Sequence, residues 1–170
     1  MVVLINNMKK LKLTQNKYAL VDDEDFDYLN QWKWHCAKGD KYVARREYFV
    51  GGKGKSKIVY MHRLIMNTPE GMETDHINRN GLDNRRENLR ICTGAENRFN
   101  HKLISTNKTG YHGVYWDKLK GKWGVGISIK GKHKGLGYYE NIKKAALAYN
   151  EAAILYRGKF ANLNSIGGNK

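Results

Sequence analysis

Apolar residues in the first third of the chain come in short runs, a pattern that predicts β-strands. The runs occur at 1–12, 18–21, 32–37, 41–50 and 57–64. Their length and their content of Val, Ile, Tyr and Trp are typical of strands, and the glycine- and lysine-containing breaks at 38–40 and 51–56 predict turns. The acidic run at 22–25 precedes Phe26 and Leu29, which are three positions apart. Carboxylates suit the first turn of a helix, so a short helix is predicted over 23–31.

The central stretch, residues 73–97, has a different pattern. An Asp75-His76 pair ends one predicted strand, a polar loop follows, and residues 89–92 form a second short strand. Thr93 and Glu96 have the spacing of a capping box, which predicts a helix whose first turn contains Asn97. The predicted order is strand, loop, strand, helix. Polar groups at the first strand end and at the helix start would then converge on one ion.

The last third predicts three strands and one helix. Strand-like segments at 111–116, 123–130 and 133–139 are separated by turns containing glycine and lysine. In the middle strand, alternation places one set of side chains toward a core (Trp123, Val125, Ile127 and Ile129) and leaves a small, polar face that could lie close against another surface (Gly124, Gly126, Ser128 and Lys130). Helical spacing over 141–156 predicts an alanine-rich helix with an inward face (Ala145, Ala148, Tyr149, Ala152 and Tyr156).

These elements predict an α+β fold in three parts. The first is a β-rich segment at 1–58. The second is a ββα unit at 59–104. The third, at 105–170, is a three-stranded antiparallel sheet packed on one helix.

Charge narrows the class of partner. The chain has 170 residues and a formal net charge of +15, with 41% apolar residues. That apolar content is too high for a disordered tail, and the charge favours a polyanion, either nucleic acid or an anionic membrane. No apolar run approaches 18 residues, so no membrane span is expected. Residues 101–170 hold 13 basic and 3 acidic residues, which predicts a C-terminal module that binds the polyanion. A solubilising surface is the alternative, but such surfaces mix charge signs.

The two cysteines predict a reducing compartment. Cys36 and Cys92 lie 56 positions apart and neither belongs to a Cys-x-x-Cys pair. Neither a disulfide framework nor a structural zinc site is therefore expected, and both thiols are predicted to be buried. The N-terminus has an apolar run before its lysines, the reverse of a secretory signal, so the protein is not expected to be secreted.

The central motifs resemble those of the HNH nucleases, which have the ββα-metal fold, and specifically the HNH homing endonucleases of phages and mobile introns. The resemblance covers about residues 59–104, and the matching residues are 61–66, Asp75-His76, 83–90 and Asn97. It implies a metal-dependent DNA endonuclease that acts in the cytoplasm of a bacterial or phage-infected cell, or in an organellar matrix.

The resemblance also implies individual roles. His76 matches the general base and Asp75 matches a carboxylate ligand of the metal. Asn97 matches the last ligand of the motif, with Asn in place of His, and Asn88 matches the residue that braces the loop and orients His76. Amide and carboxylate oxygens are hard ligands, so the expected cofactor is one Mg²⁺ or Mn²⁺ ion. Nearby guanidinium groups are candidates for phosphate contacts (Arg79, Arg85, Arg86 and Arg90). His62 shares strand parity with Ile58, Tyr60 and Leu64, which favours a buried, hydrogen-bonded histidine and leaves open a role beside His76 or at a phosphate.

The C-terminal segment is similar to the DNA-binding domain of the plant Apetala and ethylene-response-factor family. The resemblance covers about residues 109–165. It rests on 113–114, 121–123, 136–139, 145–150, 152–153 and 162–164. In that family the sheet lies in the major groove. The candidate DNA-binding residues that follow are His112, Tyr115, Lys118, Ser128, Lys130, His133, Lys134 and, toward a phosphate, Tyr149. Most base-reading positions depart from the plant pattern, so the target sequence does not transfer.

These observations together predict a site-directed endonuclease of double-stranded DNA, with a monomer favoured over a dimer and no membrane partner. Two alternatives remain at this point. One is a non-catalytic DNA-binding regulator with a decayed nuclease core, and the other is a nonspecific degradative nuclease. RNA is a weaker candidate, because aromatic platforms for splayed bases are not evident on the open face of the middle strand.

Overall fold

The computed structural model describes residues 8–37, 39, 41–49 and 55–167. The start of the first predicted strand (1–7), parts of the turn at 38–40 and most of the glycine loop (50–54) lie outside the described residues. The chain divides into two compact units, Met1–Asn97 and Arg98–Lys170. The mixed α+β class predicted from the sequence is confirmed.

The first unit contains three small antiparallel sheets. The first pairs β1 (Met8–Lys12) with β2 (Tyr18–Asp22), and α1 (Asp23–Leu29) follows. The second has the order β3 (His35–Ala37), β4 (Tyr42–Tyr48) and β5 (Ser56–Tyr60), and α2 (Met61–Ile65) follows. The third pairs β6 (Glu73–His76) with β7 (Leu89–Cys92), and α3 (Gly94–Asn97) follows.

One continuous core supports these sheets. It is centred on Trp34, which is fully buried and whose indole Nε1 donates a hydrogen bond of 2.8 Å to the carbonyl oxygen of Leu29. Leu11, Val21 and Met61 pack into the same cluster from β1, β2 and α2. Alternation explains the strand contributions, because Ala19 and Val21 are buried while the residues between and beside them are not. The two halves of the unit therefore share their hydrophobic stabilisation.

One predicted element is wrong at its end. The strand expected over 57–64 stops at Tyr60, and residues Met61–Ile65 form a helix. Met61 and Ile65 are both buried, which is the i, i+4 spacing of a helix rather than the alternation of a strand. A short apolar run fits both periods, so the sequence did not separate them. His62 is buried as expected, but on α2 rather than on a strand.

The second unit is a three-stranded sheet covered by one helix. Its strands are β8 (Val114–Asp117), β9 (Lys122–Ile129) and β10 (Lys132–Tyr139), with β9 in the middle, and the helix is α4 (Ile142–Arg157). The Asn141 side chain accepts hydrogen bonds from the first turn of α4.

Val125 and Ile127 form the core with Tyr149 and with the buried alanines of the helix, such as Ala145. Tyr156, predicted to face the core, is instead 40% exposed. It lies in the last turn of α4, where its hydroxyl is paired with Lys134.

Both cysteines are buried and unbridged, as predicted. No helix of the described residues is long and apolar enough to span a membrane.

Gly113 is placed where only glycine fits. Its φ is +70°, and an added Cβ would lie 2.2 Å from the ring of Tyr149 and 2.5 Å from the carbonyl oxygen of Gly126. Gly121 has a similar φ of +61° but nothing within 4 Å of the same position. Both glycines have a left-handed backbone that would strain an alanine. Only at Gly113 would an added Cβ also overlap neighbouring atoms.

We expect Gly113→Ala to lower the free energy of unfolding of the second unit by about 2–4 kcal/mol, since overpacking adds to backbone strain. Gly121→Ala is the control and should cost only about 1 kcal/mol, the strain alone. Urea denaturation followed by tryptophan fluorescence measures both. Equal losses for the two variants would contradict the close packing of Tyr149 on Gly113.

Candidate active site and nucleic-acid interface

The hairpin of β6 and β7 presents Asp75 and His76 on opposite faces of one strand. Their cross-strand partners are Arg90 and Leu89 respectively. Both side chains are almost completely buried, with Asp75 6% and His76 5% exposed. The pleat therefore separates a carboxylate and an imidazole that are adjacent in sequence.

His76 lies in an aromatic and polar cage. Its ring centroid is 4.9 Å from that of His62 and 6.0 Å from that of Tyr42. Its Nε2 atom is 3.3 Å from Oδ1 of Asn84. Burial lowers the pKa of His76 below its ordinary value, while the hydrogen bond to Asn84 and the charges of Asp75 and Asp83 oppose this. The imidazole is therefore neutral at pH 7 and able to accept a proton.

Asn88 braces the loop that follows β6. Its Oδ1 accepts from the backbone N–H of Asn78 at 2.9 Å, and its Nδ2 donates to the carbonyl oxygen of Asp83 at 2.7 Å. The resemblance assigns two tasks to Asn88, to brace this loop and to orient His76. In the structure the amide of Asn88 bonds to the loop backbone, and the side chain hydrogen-bonded to His76 is that of Asn84.

Asp83 ties this loop together. Its two carboxylate oxygens accept hydrogen bonds of 2.8 Å from Nε and Nη2 of Arg85, and Oδ2 also accepts from Nδ2 of Asn78 at 2.8 Å. Asp83 is 2% exposed. The Arg85 guanidinium, opposed by burial, lowers the pKa of Asp83. The loop is thus held by a buried bidentate ion pair.

The two residues expected to bind the metal, Asp75 and Asn97, both hydrogen-bond to charged side chains. Nε and Nη2 of Arg90 donate to Oδ2 of Asp75 at 2.9 and 2.6 Å. Nδ2 of Asn97 donates to Oε2 of Glu73 at 2.6 Å. Alternation places Glu73 on the same face of β6 as Asp75.

Asn97 reaches this place because the predicted capping box forms. The backbone N–H of Thr93 donates to Glu96 Oε2 at 2.7 Å, and that of Glu96 donates to Thr93 Oγ1 at 3.2 Å. Asn97 then lines a pocket of about 220 Å³ with Glu73, His62 and Arg63.

The donor set here suits a hard cation. Carboxylate and amide oxygens from Asp75, Glu73 and Asn97 are the ligands that Mg²⁺ and Mn²⁺ prefer. Among the described residues, no cluster of three His, Cys, Asp or Glu side chains could hold a metal ion.

The arginines predicted to contact phosphate are placed in different surroundings. Arg85 and Arg90 are ion-paired with Asp83 and Asp75, as described above. Arg86 is 46% exposed along its side chain and pairs with Asp25, with Nη2 2.7 Å from Oδ1. Arg79 lies on the exposed part of the loop. The Arg90–Asp75 pair joins β7 to β6, and the Arg86–Asp25 pair joins the loop between these strands to α1.

The open face of the C-terminal sheet contains aromatic rings, contrary to expectation. Tyr115 and Tyr138 flank Gly124 in register, and an added Cβ on Gly124 would lie 2.5 Å from the ring of Tyr115. The ring of His133 covers Gly126 in the same way. The expectation failed because it considered the middle strand alone, whereas these rings come from the two edge strands. The two glycines of β9 are thus covered by the chain's own side chains.

Cations surround this face. Lys120 Nζ lies 3.8 Å from the ring centroid of Tyr138. Burial and a hydrogen bond with Tyr138 raise the pKa of Tyr115, so its hydroxyl stays protonated. The remaining DNA-binding candidates on the strands and turns are exposed, namely Lys118, Ser128, Lys130, His133 and Lys134.

Tyr149 and His112 lie inside the unit. Tyr149 is 4% exposed, and its hydroxyl accepts a hydrogen bond of 2.9 Å from Nη1 of Arg157. The ring of His112 stacks on Tyr149, and its Nε2 is 3.3 Å from the amide of Asn162. Tyr149, which the sequence predicted to contact a phosphate, is therefore buried. The cationic group next to its hydroxyl is the guanidinium of Arg157.

The structure adds residues that the sequence reasoning missed, chiefly Asn84, Glu73, Tyr138 and Arg157. Glu73 shares strand parity with Asp75, which is a signal that was available. Asn84 lies in the matched segment 83–90, but its contact with His76 depends on how the loop folds back and had no signal of its own.

Comparison with known proteins agrees with this geometry. A family model described as HNH endonuclease matches residues 59–99. The chain is 28% identical over 152 residues to the uncharacterized HNH endonuclease L560 of Acanthamoeba polyphaga mimivirus, covering 88% of this chain and 75% of that protein. It is 30% identical over 93 residues to protein 3.8 of Escherichia phage T7, covering 55% of this chain and 76% of that protein.

A weaker similarity covers part of the chain. It is 37% identical over 71 residues to the ethylene-responsive transcription factor ERN3 of Medicago truncatula, covering 41% of this chain and 29% of that protein. No solved structure is significantly similar to the chain.

The Asp83–Arg85 pair predicts a pH-dependent stability. We expect Asp83→Asn to lower the free energy of unfolding at pH 7 by about 2 kcal/mol, because it leaves Arg85 without its buried partner. The pKa of Asp83 is lowered by folding, so its contribution is complete above the unfolded-state value and is lost as pH falls through the folded-state value.

The measurement is urea denaturation of both proteins from pH 7 down to pH 3. The difference between them should be constant above about pH 5 and shrink toward acid. The exposed Asp27 provides a control, and Asp27→Asn should change the free energy of unfolding at pH 7 by less than about 0.5 kcal/mol. A difference that grows toward acid would contradict the assignment.

Proposed function

The chain belongs to the HNH endonuclease family, and from this premise we propose that it is a site-directed DNA endonuclease of the homing type, with His76 as its general base. The observation that carries the proposal is the environment of His76. Inside the matched segment, a buried imidazole with a lowered pKa directly follows the carboxylate Asp75 in β6 and faces the other side of the strand. A base that is neutral near pH 7 is what hydrolysis of a phosphodiester requires.

In this reaction His76 takes the proton of the attacking water. The water oxygen bonds to phosphorus, and the bond between phosphorus and the leaving sugar oxygen breaks. The rigid hairpin of β6 and β7 keeps the imidazole at one position, so that it needs no rearrangement to accept the proton. The rings of Tyr42 and His62 pack against the imidazole and hold it in this position.

HNH nucleases generally use a divalent metal ion. In this chain Asp75 and Asn97 would hold it, with Glu73 as a neighbouring oxygen ligand. The bound ion supplies relief of the negative charge that develops on the phosphate and on the leaving oxygen. The hard oxygen donors favour Mg²⁺ or Mn²⁺ for this purpose.

The second unit would hold the duplex. Residues 101–170 carry a net charge of +10, and the exposed face of β8–β10 combines lysines with the tyrosine pair. Cations supply binding to the phosphate backbone, and side chains of the strands would contact base edges in the major groove. A dedicated binding unit in addition to the nuclease unit favours cutting at preferred sites over general degradation.

The first test replaces the proposed base. His76→Ala should lower the rate of DNA cleavage by about 10²–10⁴-fold, the range for loss of a general base. Duplex binding should stay within a few-fold, because the charges of the second unit are unchanged. Cleavage of supercoiled plasmid and an electrophoretic mobility shift measure the two quantities. The control is His35→Ala in the same unit, and cleavage by His76→Ala at the rate of that control would refute the assignment.

The second test removes the metal. EDTA should abolish cleavage while leaving duplex binding, and an excess of Mg²⁺ or Mn²⁺ should restore it. Asn97→Ala should raise the Mg²⁺ concentration for half-maximal cleavage by roughly 10- to 100-fold, because one oxygen ligand is lost. Undiminished cleavage in EDTA after exhaustive chelation would exclude the metal-assisted reaction.

A further inference from the structure

We propose that Asn84 sets the orientation and the tautomer of His76, so that Nε2 carries the ring hydrogen and Nδ1 is the nitrogen that accepts the proton from water. The inference rests on the proposed role of His76 as the base. Asn84 acts through His76 and is therefore a positioning residue. It takes the task that the sequence motif assigns to Asn88.

The orientation of the Asn84 amide follows from its second contact. Its Nδ2 atom lies 3.3 Å from the carbonyl oxygen of Gly81. A carbonyl oxygen accepts hydrogen bonds and never donates, so the amide group facing Gly81 must be the NH₂. The oxygen of Asn84 therefore faces His76.

The tautomer of His76 follows from that orientation. Oδ1 of Asn84 also accepts only, and it lies 3.3 Å from Nε2 of His76. A hydrogen bond between them requires hydrogen on Nε2. In the neutral ring the lone pair is then on Nδ1, which is the nitrogen able to act as the base.

The backbone holds Asn84 in place. Its N–H donates to the carbonyl oxygen of Leu20 at 2.8 Å, and the N–H of Leu20 donates to the carbonyl oxygen of Leu82 at 2.8 Å. The loop is thereby attached to the edge of β2 opposite β1. Asn84 itself is 0% exposed. A residue fixed in this way can fix the ring that it contacts.

The amide of Asn88 is bonded to the loop backbone rather than to His76. Both polar atoms of its amide are bonded to backbone groups, one of Asn78 and one of Asp83. Its task is to hold the loop at the carbonyl of Asp83, one residue before Asn84. The two asparagines are therefore coupled through one peptide unit and have separate functions.

Two substitutions of similar size separate the acceptor from the rest of the side chain. Asn84→Asp keeps an oxygen toward His76, and Asn84→Leu does not. Both lose the NH₂ group that donates to Gly81, so that loss cancels in the comparison. We expect single-turnover cleavage by Asn84→Leu to fall about 10²–10⁴-fold, as for a base held in the wrong tautomer, with duplex affinity unchanged. Asn84→Asp should stay within about 10-fold of wild type, since a carboxylate also orients an imidazole.

The tautomer of His76 can be measured directly, without a cleavage assay. Long-range ¹H–¹⁵N NMR of the full chain with labelled histidine, at pH 7.5, should show hydrogen on Nε2 of His76 in the wild type and in Asn84→Asp. Asn84→Leu should show a mixture of tautomers. If Asn84→Leu does not fold, as judged by circular dichroism, the wild-type spectrum alone decides the tautomer.

Hydrogen on Nδ1 in the wild-type protein would overturn the proposal, as would equal cleavage by the Asp and Leu variants. Failure of the proposed function gives a different result. His76→Ala would then cleave normally while the NMR spectrum still showed Nε2–H in the wild type.

Discussion

The buried pair of Asp83 and Arg85 is the interaction on which the loop between β6 and β7 depends. Both oxygens of the carboxylate are bonded to one guanidinium, and the same carboxylate holds Asn78. The backbone carbonyl of Asp83 accepts from Asn88, and Asp83 also bridges to Leu20 on β2. A charged group at 2% exposure is stable only when it is fully paired, and this one is paired from every side. The loop between β6 and β7 is therefore held in one conformation by an ion pair and by side-chain and backbone hydrogen bonds.

That rigidity links the fold to the proposed chemistry. Burial of His76 keeps its imidazole neutral, and the fixed loop brings Asn84 against Nε2. Asp75 lies on the other face of the same strand, where Arg90 neutralises its charge. A single four-residue strand thus separates the proton acceptor from the carboxylate proposed for the metal. The separation follows from the alternation of side chains in a pleated strand.

The two faces of the sheet in the second unit have different surroundings. Its core consists of one face of the sheet packed against an alanine-rich helix, so small residues such as Ala145 and Ala153 allow the close approach. On the open face, the glycines of β9 leave room for Tyr115 and His133 to lie flat over the sheet. The result is a surface of aromatic rings and lysines. In the proposed function, binding of the polyanion and cutting of the phosphodiester belong to separate units.

The sequence by itself determined the local features. The capping box at Thr93, the hairpin ends at 76 and 89, the helix predicted over 141–156 and the α+β class all follow from spacing between near neighbours. Such spacing is what local hydrogen bonds and side-chain periodicity control. Only the tertiary structure decided the helix at Met61–Ile65, the ion pairs of Arg85, Arg86 and Arg90, and the contact of Asn84 with His76. Each of these depends on which side chains the folded chain brings together across the hairpin and the core. A single sequence records the residue types at those positions, but not the distances between them.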